Sequence, residues 1–346
     1  MPEAITLVIP GRNCARTIKP CLEAVLPLLH AGLLEEIIFV DDASTDNTAN
    51  IVARFPVRML RGAGRGPGAA RNLGWRGSRT PLIWFIDSDC VAEPGALKLL
   101  VETMASEEIA GVGGSYANGV PESLLATLIH EEIVARHQQM PERVNFLATF
   151  NVLYRRSVLE QLGGFDERFR LAQDAELAFR IKAAGYDLAF VKDSRVAHFH
   201  PTRLKKYLST QTRQGFYRML LYHEHPQRIS GDSYSGFCDH IQPPLAMLSL
   251  GALAFGWLPW GLPAAAGAMG LLVAATLRMT WRLAHQLGPR AAWFCPLASL
   301  RAYARGLGMS LGVLQLACLA VRGNAAGNQR GAASRGAVLA EVRNSD

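Results

Sequence analysis

Leu82-Ile83-Trp84-Phe85-Ile86-Asp87-Ser88-Asp89 decides the fold. Its five apolar residues, bulky and partly aromatic, read as a strand buried on both faces. Such strands belong to sheets covered by helices on both sides. The run stops at two carboxylates with one residue between them. In an extended chain the period of two sends both to one side. There they could hold a divalent cation beside a nucleotide diphosphate. The competing reading is an aspartate that caps the following helix.

Working outward toward the N-terminus, the same grammar repeats. Residues 5–10, 36–40 and 57–60 read as short apolar strands, the second closing on Asp41-Asp42. Residues 16–30 and 69–77 carry helical patterns, and Ser44-Thr45-Asp46 offers caps for a helix through Ala53. Residues 62–68 form a glycine-rich loop. Strands separated by helices predict an α/β fold with a mostly parallel sheet. Ligands of such sheets sit beyond the carboxyl ends of the strands. Asp41, Asp42, Asp87 and Asp89 all fall at such ends.

Toward the C-terminus, helices are expected at 97–104, 122–139, 157–162 and 175–184, with strands around Val112 and at 146–154 and 189–191. Gly163-Gly164 and Gly185 stop two of these helices. Residues 203–222 read as a basic helix.

The chain has 346 residues, 49% hydrophobic and 19% charged, with a formal charge of +7 and a pI near 9.3. A basic balance points to polyanionic partners. No zinc-finger spacing or RNA-recognition signature accompanies it, which argues against nucleic acid. Cys14, Cys21, Cys90, Cys238, Cys295 and Cys318 form no C-x-x-C pair and suit a reduced, cytosolic catalytic part. Met1-Pro2-Glu3-Ala4-Ile5-Thr6 does not resemble a signal peptide.

The apolar excess is concentrated late in the chain. No charged residue occurs between Ile241 and Leu277. Two runs, 244–259 and 261–277, flank a break made by Pro259, Gly261 and Pro263. Each is near the short limit of about 17 residues for a membrane-spanning helix. A membrane hairpin is expected, with a buried pair of core helices as the alternative. A third run, 306–321, could be a third span but is expected to lie in the interface or re-enter, because a span would carry Arg322, Arg330 and Arg335 to the far side. The implied plan is a catalytic domain at 1–225, a linker at 226–242, membrane-associated helices at 243–322 and a disordered tail at 323–346. The catalytic part would face the cytosol at the inner membrane.

Val40-Asp41-Asp42-Ala43-Ser44-Thr45-Asp46 offers carboxylates to a nucleobase N–H or a ribose hydroxyl. Gly64-Arg65-Gly66-Pro67-Gly68-Ala69-Ala70-Arg71-Asn72 offers backbone amides and Arg71 to phosphates. It is neither a Walker loop nor a G-x-G-x-x-G after the first strand.

These segments, with Leu7-Val8-Ile9-Pro10-Gly11-Arg12-Asn13, Gly163-Gly164-Phe165-Asp166-Glu167 and Asp174-Ala175-Glu176-Leu177-Ala178-Phe179-Arg180, resemble the family 2 glycosyltransferases in their order. The resemblance covers roughly residues 4–220. It implies a GT-A fold, a Rossmann-like mixed sheet, acting on a nucleotide-sugar donor with inversion. Pro10, Arg12, Arg71 and Ser88 would lie on the donor. Asp41 or Asp42 would contact the nucleoside, usually uridine. Asp87 and Asp89 would sit at Mn2+ or Mg2+, with a histidine completing the site; His200 is the better match and His198 stays open. Asp174 would be the base. Gln173 stands where the family often has a glutamate. Gln211-Thr212-Arg213-Gln214-Gly215 partly resembles the Gln-x-x-Arg-Trp of processive synthases, so Gln211 and Arg213 are acceptor-side candidates. Gly215 in place of the tryptophan favours transfer of one or few sugars. Arg203, Lys205, Lys206, Arg213 and Arg218 could meet a lipid phosphate or simply the membrane surface. The acceptor implied is lipid-linked or an envelope saccharide. The alternatives are a nucleotidyltransferase, whose loop after the first strand is missing, and a non-catalytic membrane protein.

Overall fold

The computed structural model describes residues 3–229 and 231–326. The chain divides into two compact units at the bond between His200 and Pro201. The tail expected from residue 323 lies, from 327 onward, outside the described residues.

The first unit contains β1 (Ile5–Gly11), α1 (Ile18–His30), β2 (Glu36–Asp41), α2 (Thr48–Val52), β3 (Arg58–Arg61), α3 (Pro67–Gly77), β4 (Leu82–Ile86) and β5 (Cys90–Ala92). It continues with α4 (Ala96–Met104), β6 (Ile109–Asn118), α5 (Leu124–His137), β7 (Arg143–Val144) and β8 (Asn151–Arg155). α6 (Arg156–Leu162), α7 (Gln173–Ala183) and β9 (Asp187–His198) complete it. One sheet runs β3-β2-β1-β4-β8-β6-β9-β5, with β7 paired to β9. Alternate residues of each strand feed two cores. Leu7, Ile9, Phe39, Trp84 and Ile86 pack with α1 and α4. Val8, Ile38, Val40, Ile83 and Phe85 pack with α3, α6 and α7. That is why the strands are apolar without alternation.

The mixed sheet expected of a GT-A fold is present, but it is not mostly parallel. β1–β2, β1–β4, β2–β3 and β6–β9 are parallel. β4–β8, β5–β9, β6–β8 and β7–β9 are antiparallel. Apolar periodicity reports which face a residue takes and says nothing of strand direction. Two strands also differ in length from expectation. β8 keeps only the end of the 146–154 run, the residues before it being irregular. β9 is twelve residues long, because its charged half pairs in the sheet with β5 and the end of β6.

The second unit holds α8 (Leu204–Glu224), α9 (Phe237–Ala254), α10 (Gly261–Leu287) and α11 (Phe294–Ala326). Glycines bring α8 and α11 together. A Cβ on Gly215 would strike the Arg305 carbonyl, and one on Gly308 would strike that of Thr212. Arg305 Nε then donates to Gln211 Oε1 at 2.7 Å. Gly261–Val321 is the one helical run among the described residues long and apolar enough to cross a membrane by length and composition. Only 22% of its most apolar window is buried within the protein. Trp257, Trp260, Trp281 and Trp293 are all exposed.

Candidate active site

The carboxyl ends of β1, β2 and β4 gather the acidic residues, as parallel strands require. Among the described residues, three non-glycines have positive φ: Asn13 at 53°, Ala43 at 61° and Ala172 at 66°. They follow β1, follow β2 and precede Gln173 and Asp174 at the start of α7. Such backbone persists where surrounding structure holds it, and it clusters at functional sites.

Asp87-Ser88-Asp89 is a turn, closed by the Cys90 N–H donating to the Asp87 carbonyl at 3.0 Å. The extended alternation that would point both carboxylates one way therefore does not apply. Asp87 Oδ1 accepts from Arg71 Nη2 at 2.5 Å. Asp89 Oδ2 lies 3.4 Å from His198 Nε2. Arg71 is only 3% exposed, and its Nε and Nη1 are buried without a partner. Its guanidinium also stands over the Phe165 ring, 5.7 Å from the centroid.

Asp174 lies within electrostatic reach of Arg71 and Asp87. Burial raises its carboxyl above the usual range; the Ala175 N–H and Arg71 pull it down, and Asp87 pushes it up. Gln173 is buried beside it with Oε1 unpartnered. The Tyr154 hydroxyl, fully buried and unpartnered, is a neighbour the sequence did not flag. Desolvation pushes its pKa above the usual phenol range, as does the nearby Asp174 charge.

Asp41 and Asp42, expected at the nucleoside, already have partners within the protein. Asp42 accepts from Gly64 N and Gly66 N, both at 2.8 Å, so each of its oxygens holds the glycine-rich loop. Asp41 accepts from Ser44 N at 3.0 Å and pairs with Arg61 at 2.5 Å. Pro10 is buried in β1, while Arg12 is exposed just beyond it. Ser88 is partly exposed and bonds to the Cys14 thiol.

Asn72 ties two motifs together. Its Nδ2 donates to the Phe165 carbonyl at 2.8 Å and to Glu167 at 3.1 Å. Its Oδ1 accepts from Phe165 N at 2.9 Å and Trp75 Nε1 at 3.0 Å. Gly164, at φ +78°, allows this, since a Cβ there would strike Asn72 Oδ1.

Asp89, Cys90 and His198 bring ligand atoms within 4.8 Å of one another. A carboxylate oxygen and an imidazole suit a hard divalent cation, whereas the soft sulfur of Cys90 does not, and burial pushes its thiol up. His200 stands behind His198, its Nδ1 2.9 Å from His198 Nδ1. Burial lowers His200 to about 3 and His130 to about 4, so both are neutral near pH 7. Gln211 and Arg213 lie on α8 in the second unit, Gln211 held by Arg305 and Arg213 exposed. Arg218 pairs with Asp232 there.

The sequence model described as Glycosyl transferase family 2 matches residues 6–163. Residues 6–163 are a family 2 glycosyltransferase domain. This transferase domain contains the Asp41, Asp42, Arg71, Asp87 and Asp89 stations, whereas Asp174 and His198 lie beyond the matched stretch. Over 227 residues the chain is 29% identical to the "Probable glycosyltransferase YdaM" of Bacillus subtilis, covering 60% of this chain and 54% of that protein. It is 28% identical to the glycosyltransferase AglE of Haloferax volcanii, covering 58% and 67%. The match thus spans about half the length of the Bacillus relative. In fold, the chain is similar to the mannosyltransferase PcManGT of Pyrobaculum calidifontis, solved with GDP-Man and Mn2+. The TM-score is 0.58 at 22% identity, covering 89% of this chain and 88% of that one.

Proposed function

We propose that this chain is an inverting glycosyltransferase taking a sugar from a nucleotide-diphosphate sugar, with UDP the expected nucleotide. Arg71 carries the reading. A buried guanidinium with two unpartnered N–H donors is costly unless an anion meets them. Its Nη2 holds Asp87 at the end of β4, where the strand ends collect, and a diphosphate there would bring acceptors to the remaining donors. Asp89 and His198 form the donor set for Mn2+ or Mg2+, with Asp87 beside them. A divalent cation there would supply charge opposite the departing diphosphate.

Asp174 is the base. It takes the acceptor's hydroxyl proton as that oxygen forms its bond to the anomeric carbon. The bond from that carbon to the diphosphate oxygen breaks on the opposite face, which inverts the centre. Raising the carboxyl brings its basicity nearer the working pH. Asp42 acts on the donor by shaping the Gly62–Gly68 loop, and Arg12 and Ser88 border the same space.

The acceptor is a lipid-linked or envelope saccharide. The exposed apolar helices after residue 243 attach the chain to the inner membrane, with residues 1–225 cytosolic. The exposed Arg203, Lys205 and Lys206 suit an anionic surface.

The test is turnover of UDP-, GDP- and dTDP-sugars by purified protein with Mn2+ or Mg2+, read as released nucleotide. GDP-sugars belong in the panel because PcManGT was solved with one. No turnover and no metal-dependent nucleotide binding would sink the proposal.

A further inference from the structure

Behind Asp89 the interior is dense in imidazole and aromatic rings. His198 and His200 flank Phe199 at the end of β9. The Phe199 N–H donates to the Asp89 carbonyl at 3.0 Å, which fixes this end of the strand to the acidic turn. Tyr116 from β6 stacks on His198 with centroids 4.8 Å apart, and on Phe150 at 3.5 Å. The stack sets the plane of the His198 ring. What remains is the position of its proton.

A neutral imidazole can offer its Nε2 lone pair to a cation only when its proton sits on Nδ1. His198 Nδ1 is 2.9 Å from His200 Nδ1. Two protonated nitrogens cannot share that contact, and two bare ones gain nothing from it. If His200 donates, His198 must carry its proton on Nε2, facing Asp89 Oδ2 at 3.4 Å and unable to bind a metal. If His200 accepts, His198 Nε2 is free to ligate.

We infer that His200 is a positioning residue that accepts the His198 Nδ1 proton and so presents His198 Nε2 to the divalent cation. This rests on the reading that Asp89 and His198 take that cation. One further observation agrees. His200 is 3% exposed and His130, from α5, is 7% exposed, so water does not compete freely for the contact. His200 Nε2, which must carry the proton when Nδ1 accepts, is buried without a hydrogen bond, a cost that the metal bound at His198 would have to offset. His130 Nδ1 is likewise buried and unpartnered, with its ring centroid 5.6 Å from that of His200. Ligating histidines commonly donate their other ring N–H to a fixed acceptor, and losing that acceptor costs about 10–100-fold in metal affinity.

The experiment titrates the purified full chain with Mn2+, alone and with UDP, reading free Mn2+ by electron paramagnetic resonance. His200→Phe keeps a ring without nitrogen and is expected to weaken Mn2+ binding about 10–100-fold. His200→Asn sets an amide oxygen near Nδ1 and is expected to retain most of the affinity. His200→Gln sets its amide near Nε2 and is expected to bind as weakly as His200→Phe. Wild-type affinity in His200→Phe overturns the inference; should that variant fail to fold, equal affinities in His200→Asn and His200→Gln overturn it. His198→Ala separates the two levels. If it binds Mn2+ as wild type does, the metal reading falls and the inference with it. If it loses Mn2+ while His200→Phe and His200→Gln do not, only the inference falls.

Discussion

Replacing Asn72 with alanine tests how the two halves of the site are held together. Asn72 is 1% exposed and makes four hydrogen bonds. Three of its partners are themselves buried: the Phe165 N–H, the Phe165 carbonyl and the Trp75 indole N–H. The fourth, Glu167, is partly exposed and can turn to water. Each buried group stripped of its partner costs about 1–3 kcal/mol. Three give about 3–9 kcal/mol on that scale, and a water entering the vacated space offsets part. The expected loss is about 3–5 kcal/mol, read as a shift in urea unfolding followed by tryptophan fluorescence in detergent. Asn72→Asp keeps the two accepted bonds and sets an oxygen against the Phe165 carbonyl, so it should fall between. Because Arg71 precedes Asn72, turnover should drop further than the unfolded fraction explains. A loss below about 1 kcal/mol for Asn72→Ala would refute the clamp.

Asp174→Asn should abolish sugar transfer while leaving nucleotide binding near wild type; full activity would remove Asp174 from the base role. Its carboxyl is raised in the folded state, so its contribution to stability is fully present below the ordinary carboxylate value of 3.8 and is lost as pH rises through the raised value. Asp174→Asn should therefore unfold at higher urea than wild type at pH 7, and the difference should vanish in acid below 3.8. Gly215→Trp, which rebuilds the processive motif, should instead destabilise the α8–α11 contact by about 2 kcal/mol or more and yield no longer product, checked by thermal unfolding and product sizing. Ala172→Gly should relieve about 1 kcal/mol of backbone strain yet lower turnover, because the start of α7 is held less firmly. Chelation by EDTA should stop transfer, with Mn2+ or Mg2+ restoring it.

The strands and their faces were legible in the sequence. Leu82–Ile86 is buried at every position, and its neighbours feed two cores by simple alternation. That Asp41, Asp42, Asp87 and Asp89 fall at the carboxyl ends of strands was legible too, since parallel neighbours place their loops at one end. Tertiary structure decided the rest. Direction is invisible to periodicity, so the antiparallel β8 between β4 and β6 could not be foreseen. A carboxylate's type does not name its partner, so only packing revealed that Asp42 holds Gly64 and Gly66. Gly215 is a missing tryptophan in the motif and a close crossing of two helices in space. His198 and His200 are equal as letters; a strand end and a 2.9 Å contact set one against Asp89 and the other behind it. Sequence encodes local periodicity and residue chemistry, whereas distances between segments far apart in the chain exist only once the sheet has formed.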